Sequence, residues 1–154
     1  ELVSRLEMNP ELRDRMIQIY NNQVQALKAC QDNSGLWHTV LDDETSYLEA
    51  SASAGIGAGI LMGTEMGILP PENRDAGLKP LKRLIELTDE QGFVHQVSIG
   101  TPVGENKECY KSIPLAPMAY GQALTMVYLV QASAVLDKLN NSGKCGKLLK
   151  NKAV

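Results

Sequence analysis

Apolar residues at Leu12, Met16, Ile19, Val24, Leu27 and Ala29 recur at roughly helical spacing. Asn9-Pro10-Glu11 supplies the start signal, with Asn9 as N-cap, Pro10 at the first helical position and Glu11 in the first turn. The pattern runs to about Cys30, and Asp32-Asn33-Ser34-Gly35 stops it. Leu36 to Leu41 reads as a short extended piece, and Asp42 to Ser46 as a polar loop. A second helix is predicted from Tyr47 to about Gly67. It has little charge before Glu65, so it should be buried on several sides. Gly55, Gly57, Gly59, Gly63 and Gly67 would each weaken an isolated helix by about 1 kcal/mol relative to Ala. Close approach of neighbouring helices or of a ligand is the expected compensation.

Leu69-Pro70-Pro71-Glu72 marks a break. A third helix is predicted over Arg74 to Glu90, with Ala76, Leu81, Leu84, Ile85 and Leu87 as its apolar side and surface charges that mark it as an outer helix. Gln91-Gly92 closes it. Phe93 to Ile99 reads as extended and Gly100 to Pro117 as a long loop. A fourth helix, Pro117 to Leu139, is nearly uncharged until Asp137. The order outer, inner, outer, inner is an all-α architecture of helical hairpins, with a short extended turn at each crossing.

The crossings repeat. Gly35-Leu36-Trp37-His38-Thr39-Val40 is echoed by Gly92-Phe93-Val94-His95-Gln96-Val97, 57 residues later. A fixed period is the sign of a repeated supersecondary unit. This one has room for two helices of about 15 to 20 residues and two connections. Such hairpins stack in a line or close into a ring.

The 154 residues suit one hairpin domain over 1–139, followed by a Lys/Gly/Asn-rich tail over 140–154. With one Phe and one Trp, the core must come from Leu, Ile, Val, Ala and Met, and Met62, Met66, Met118 and Met126 read as core filler. A net charge of −3 argues against a nucleic-acid partner. No uninterrupted apolar run reaches the roughly 18 residues of a membrane span, so no membrane partner is expected. Cys30, Cys109 and Cys145 are odd in number and widely spaced. They suggest neither a disulfide framework nor a zinc site, and they fit a reducing, cytoplasmic setting. The chain begins at Glu1, not Met, and shows no signal peptide, which reads either as removal of a leading segment or as part of a longer product.

Two residues at the first crossing carry candidate binding chemistry. Trp37 can stack on a sugar face, or it can be a core anchor of the crossing. His38 can hydrogen-bond sugar hydroxyls or a carboxylate, or it can pin the extended turn, as its twin His95 would. Glu49, at the start of an inner helix, reads as a cap that gains from the helix dipole. Ser51 and Ser53 fit either a lumen or a close helix contact.

The block Gly35-Leu36-Trp37-His38-Thr39-Val40-Leu41-Asp42, then Ser46-Tyr47-Leu48-Glu49-Ala50-Ser51-Ala52-Ser53-Ala54, resembles the unsaturated uronyl hydrolases of glycoside hydrolase family 105, relatives of family 88. Those enzymes carry Gly-Leu-Trp-(Tyr/His)-Gln-Val-Leu, then Tyr-Leu-Glu-(Thr/Ala)-Ser-(Gly/Ala)-Ser-Ala. Gly100-Thr101-Pro102-Val103-Gly104, the Tyr110 loop and Tyr120-Gly121 are similar in layout, so the resemblance spans about residues 10 to 135. It implies a six-hairpin (α/α)6 barrel. Six hairpins of this period need about 340 residues, so this chain would be the C-terminal portion, with the remaining hairpins supplied by another chain or segment.

The implied activity is removal of a 4,5-unsaturated uronic acid from lyase-generated oligosaccharides, as in pectin degradation. An Asp protonates the enol ether, water adds, and the resulting hemiketal falls apart. No metal or cofactor is implied. In the family, that Asp and the first His and Arg of the site lie in earlier hairpins, so the catalytic residue is unassigned here. Asp42 and Asp43 read as solvated loop acids. The loop of Tyr110 and Lys111 is implied to close over the substrate, where Lys111 would attract the uronate charge. Trp37, His38, Tyr110 and Lys111 are therefore the candidate substrate-binding residues. The competing reading is a non-catalytic helical-hairpin binding or scaffold module. A different α/α toroid, such as a sugar epimerase or a lanthionine-type cyclase, would need His clusters or Cys/His ligands.

Overall fold

The computed structural model describes residues 7–141. Helix α1, Pro10–Ala29, begins where the capping pattern predicts: Asn9 Oδ1 accepts from the N–H groups of Glu11 at 2.9 Å and Leu12 at 3.2 Å. Strands β1, Trp37–His38, and β2, Leu48–Glu49, form an antiparallel pair, with Trp37 opposite Glu49 and His38 opposite Leu48. Helix α2, Ala50–Glu65, starts three residues later than its apolar pattern suggests. Leu48 and Glu49 are taken by the ladder, and Glu49 then caps the helix.

The third predicted helix is two helices. After a 3₁₀ turn at Pro71–Asn73, α3 runs over Arg74–Leu78 and α4 over Leu81–Glu86. Pro80 lies between them, and a proline has no N–H to donate to the carbonyl four residues back. That carbonyl, Ala76 O, accepts from Gln31 Nε2 at 3.0 Å instead, which ties the kink to the first crossing. Gly35 sits against the same kink with φ of +93°. A Cβ there would lie 2.4 Å from the Lys79 carbonyl oxygen. The predicted long loop contains a short helix, α5, Lys107–Lys111, capped by Asn106. Helix α6, Ala119–Asn141, ends the described fold.

The inner helices α2 and α6 pack against each other. Gly57 makes this possible: a Cβ on it would sit 2.6 Å from the Tyr128 ring. Gly63 similarly admits Tyr20 and Leu69. Neighbouring side chains thus account for these two glycines, while Gly55 and Gly59 meet nothing closer than 3.7 Å and 4.0 Å. One core cluster joins Ala50, Ala54, Ala58 and Leu61 of α2 to Tyr128, Ala132 and Val135 of α6 and to Leu84, Val94 and Val97. A second gathers Val24, Trp37, Ile60 and Leu69.

Both edges of this arc are apolar and open. On one edge, Met16, Tyr20, Gly59, Met62, Met66 and Ile68 line a groove of about 290 Å³ between α1 and α2. On the other, Met126, Val127 and Val130 of α6 are exposed. Met126 is therefore not core filler: at 66% exposure it lies on the side of α6 facing away from α2. At 23 residues, α6 is long and apolar enough to cross a membrane by length and composition alone, although no uninterrupted apolar run suggested it. Its opposite side, with Gly121, Thr125, Tyr128, Ala132 and Val135, is buried within the fold. Asn140 and Asn141 continue α6, and the rest of the anticipated tail lies outside the described residues.

Candidate functional site

The 57-residue period is a repeated turn. Asp32 and Asp89 open it, each accepting on Oδ1 from the N–H two residues ahead: Ser34 at 2.7 Å and Gln91 at 3.1 Å. In both copies the glycine N–H then donates to the aspartate carbonyl at 2.9 Å, and the aspartate N–H donates to the carbonyl of Leu36 or Phe93 at 3.0 Å. Gln31 bridges to Trp37 as Thr88 bridges to Val94. Gly35 and Gly92 have φ of +93° and +86°, a left-handed conformation that glycine adopts without steric cost. Beyond the turns the copies diverge. The inner helix begins 12 residues after His38 but 24 after His95.

The two crossings meet at the N-terminal end of α2. Glu49 is 3% exposed and joins them. Its carboxylate accepts from Ala52 N–H at 2.5 Å, from the Ser51 hydroxyl at 2.9 Å and from Ser98 N–H at 3.0 Å. The Ala50 N–H donates to the Gln96 carbonyl at 2.9 Å. Gln96 holds φ of +62°, a strained conformation for a residue with a side chain. Ser53 Oγ, fully buried, accepts from Trp37 N–H and donates to the Glu49 carbonyl. The capping role expected of Glu49 is thus accompanied by a link between hairpins. Ser51 and Ser53 are both buried here, spent on Glu49 and on the crossing.

Trp37 has no exposed surface. Its indole N–H donates to the Leu27 carbonyl at 2.7 Å, and its ring packs in the cluster with Val24, Ile60 and Leu69. No ring face is open to a sugar, so the anchoring alternative describes this residue. His38 is half-buried, with Nδ1 2.6 Å from the Ser46 carbonyl. A carbonyl only accepts, so Nδ1 carries the proton, and in the neutral ring Nε2 is an acceptor. His38 lines a polar cleft of about 490 Å³ with Cys30, Gln31, Asp32, Asp42 and Glu44. Its twin His95 places Nε2 2.6 Å from Asp89 Oδ2 and pins the second turn.

Tyr110 and Lys111 are brought to the same end of the fold but are engaged locally. The Tyr110 hydroxyl accepts from Gly104 N–H at 3.1 Å. Lys111 Nζ lies 3.2 Å from Asp43, 2.7 Å from Thr45 Oγ1 and 3.0 Å from Glu108. Glu108 and Asp43 together push its pKa up. Asp43 is held at about 2 by the Thr45 hydroxyl, the Thr45 N–H and Lys111. Asp42 is lowered by its pairing with Lys107. Both aspartates are therefore ionised at neutral pH and poorly suited to donate a proton. The loop acids are not simply solvated, as the sequence suggested; each holds a lysine some 65 residues away. Among the described residues, no group of three or more His, Cys, Asp or Glu could hold a metal ion.

Repeated outer–inner hairpins with a shared crossing turn define a class, the α/α toroids, and comparison places the chain within it. The Glycosyl Hydrolase Family 88 model matches residues 1–136, and the chain belongs to that family. The unsaturated rhamnogalacturonyl hydrolase YesR of Bacillus subtilis strain 168 is 39% identical over 119 residues, covering 77% of this chain and 33% of that protein. A possible GH105 member from Salmonella enterica serovar Paratyphi A superposes with a TM-score of 0.78 at 40% identity, over 82% of this chain and 33% of the other. A family 105 glycoside hydrolase from C. acetobutylicum superposes with a TM-score of 0.76 at 26% identity, over 86% and 41%. The chain thus spans about a third of the length of these relatives. Its hairpins have the fold of part of the (α/α)6 barrel of these relatives.

Proposed function

We propose that this chain is part of an unsaturated uronyl hydrolase that removes a terminal 4,5-unsaturated uronic acid from lyase-generated oligosaccharides, including those from pectin. The observation that carries this reading is the 39% identity to an unsaturated rhamnogalacturonyl hydrolase across 77% of the chain. The reaction is hydration of an enol ether. A carboxylic acid gives its proton to the double bond, water adds at the carbon bearing the ring oxygen, and the hemiketal opens to release the sugar. That acid must hold a proton near neutral pH. Asp42 and Asp43 are depressed instead, and the family resemblance implies that the acid lies in hairpins outside this chain. In this reading those hairpins pack on the α1–α2 groove and on the open face of α6. This chain contributes one wall of the mouth. His38 Nε2 is its best-placed acceptor for a sugar hydroxyl, and Tyr110 and Lys111 stand on the loop beside it. Cys30 and Cys109 are free thiols, which fits a reducing, cytoplasmic setting.

The test is ultraviolet absorbance of unsaturated rhamnogalacturonyl, galacturonyl and glucuronyl disaccharides incubated with the full-length product of the gene. Loss of the conjugated enol-acid signal supports the proposal. A flat trace from a folded protein on all three substrates overturns it in favour of a non-catalytic hairpin module.

A further inference from the structure

Residues 99–114 leave the fold and return at one point. Ile99 N–H donates to the Pro114 carbonyl at 3.0 Å, Ala116 N–H donates to the Val97 carbonyl at 2.8 Å, and Ser98 bridges to Leu115. Pinned ends are the mark of an Ω-loop. Inside, the segment holds itself: Asn106 caps α5 through Cys109 N–H at 3.2 Å, and the Tyr110 hydroxyl accepts from Gly104 N–H. From Thr101 to Cys109 every residue except Gly104 is exposed, so little apolar contact seats this stretch.

Charge seats it instead. Lys107 and Lys111 are four apart on α5 and share a helix face. They meet the adjacent Asp42 and Asp43 on the turn of the first crossing. Lys107 Nζ is 2.9 Å from both Asp42 carboxylate oxygens, and Lys111 Nζ reaches Asp43 and Thr45. We propose that residues 99–114 form an electrostatically latched strap. It closes on the 42–45 turn through these two pairs and swings out on its pinned base when they are screened or removed. Asp42 also lines the cleft beside His38, so opening the latch frees a carboxylate on the rim of that cleft. The inference does not rest on the hydrolase reading.

Ion pairs weaken as the screening length falls from roughly 20 Å in dilute buffer to a few ångströms near 1 M salt, whereas apolar contacts do not. Trypsin can cut after Lys107 and Lys111 only when their side chains leave the aspartates. The experiment is limited trypsin digestion of the full-length gene product and its Asp42→Asn/Asp43→Asn variant at about 20 mM and about 0.5 M NaCl. Cleavage at these two lysines is scored relative to exposed Lys82 on α4. The asparagine at 43 keeps an oxygen for Thr45, so the turn survives. The latch requires the ratio to rise about fivefold or more in the variant at low salt. High salt should produce a similar rise in the unmodified chain and none at Lys107 in the variant, where Lys111 keeps its pair with Glu108. A variant that cleaves at the unmodified ratio, or one whose ratio at Lys107 stays salt-dependent, overturns the proposal. So does cleavage at Lys82 rising in step, because the pairs would then support the whole fold rather than the strap.

Discussion

Replacing Trp37 decides whether the indole is an anchor or a sugar platform. The ring is fully enclosed and its N–H is bonded to the Leu27 carbonyl at 2.7 Å. Trp37→Ala removes the largest fully buried side chain and leaves a cavity among Val24, Ile60 and Leu69. Substitutions of this kind cost about 3–5 kcal/mol, and the unpaired Leu27 carbonyl adds about 1 kcal/mol. That is a large share of the roughly 5–15 kcal/mol that holds a domain together, so this variant can fail to fold. Trp37→Phe is the companion. It keeps an aromatic ring, loses the N–H and part of the volume, and should cost about 1–2 kcal/mol, or roughly 3–8 °C in Tm. The assay is urea and thermal unfolding by far-ultraviolet circular dichroism. Trp37 is the sole tryptophan, so its replacement also removes the intrinsic fluorescent probe. In the unmodified chain its emission should be blue-shifted, resist acrylamide, and not respond to an unsaturated disaccharide. A Trp37→Phe variant with the unmodified midpoint would refute the anchoring argument, and a sugar-dependent emission shift would return the indole to the binding surface.

Glu49→Ala should destabilise by about 2–4 kcal/mol, because it strands the buried N–H of Ser98 and the part-buried N–H of Ala52, while Glu49→Gln, which keeps an acceptor, should lose about half as much; chemical denaturation separates the two. Gly57→Ala drives a methyl into the Tyr128 ring and should cost about 1–3 kcal/mol, read as a lowered urea midpoint. Tyr128→Phe removes a buried hydroxyl that donates to the Gly77 carbonyl at 3.0 Å, and should cost about 1 kcal/mol in the same assay. Acid titration has a defined sign. The folded pKa of Asp43, about 2, is below its ordinary 3.8, so its contribution to stability is present above pH 4 and is lost as pH falls towards 2. Thermal midpoints measured from pH 5 to pH 2 should fall less steeply in Asp43→Asn than in the unmodified chain.

Local interactions made much of the fold readable. Asn9, Pro10 and Glu11 announced α1 because a cap acts within one turn. The Gly35 and Gly92 phrases announced the crossings because both glycines serve one turn geometry. The break at Pro80 was also visible, since a proline cannot continue a helix ladder, yet the apolar spacing around it suggested one long helix. Asn106 caps α5, yet the segment from Gly100 to Pro117 reads as a loop in the sequence, because a helix of five residues shows too little apolar periodicity. At the mouth, the residue types were legible but their states were not. Trp37, His38 and Glu49 stand close together in the chain, yet one is sealed, one half-open and one bridges to Ser98.

The sequence by itself determined the repeated hairpin, its crossing turn and its family, because these depend on neighbours in the chain and on a period that recurs. Only the tertiary structure decided what each side chain faces. Trp37 is buried because Leu27, Ile60 and Leu69 converge on it from separate elements. Asp42 and Asp43 are depressed because lysines about 65 residues away arrive beside them. Burial and Coulomb interactions depend on distance through space, and that distance is set only when the helices have packed.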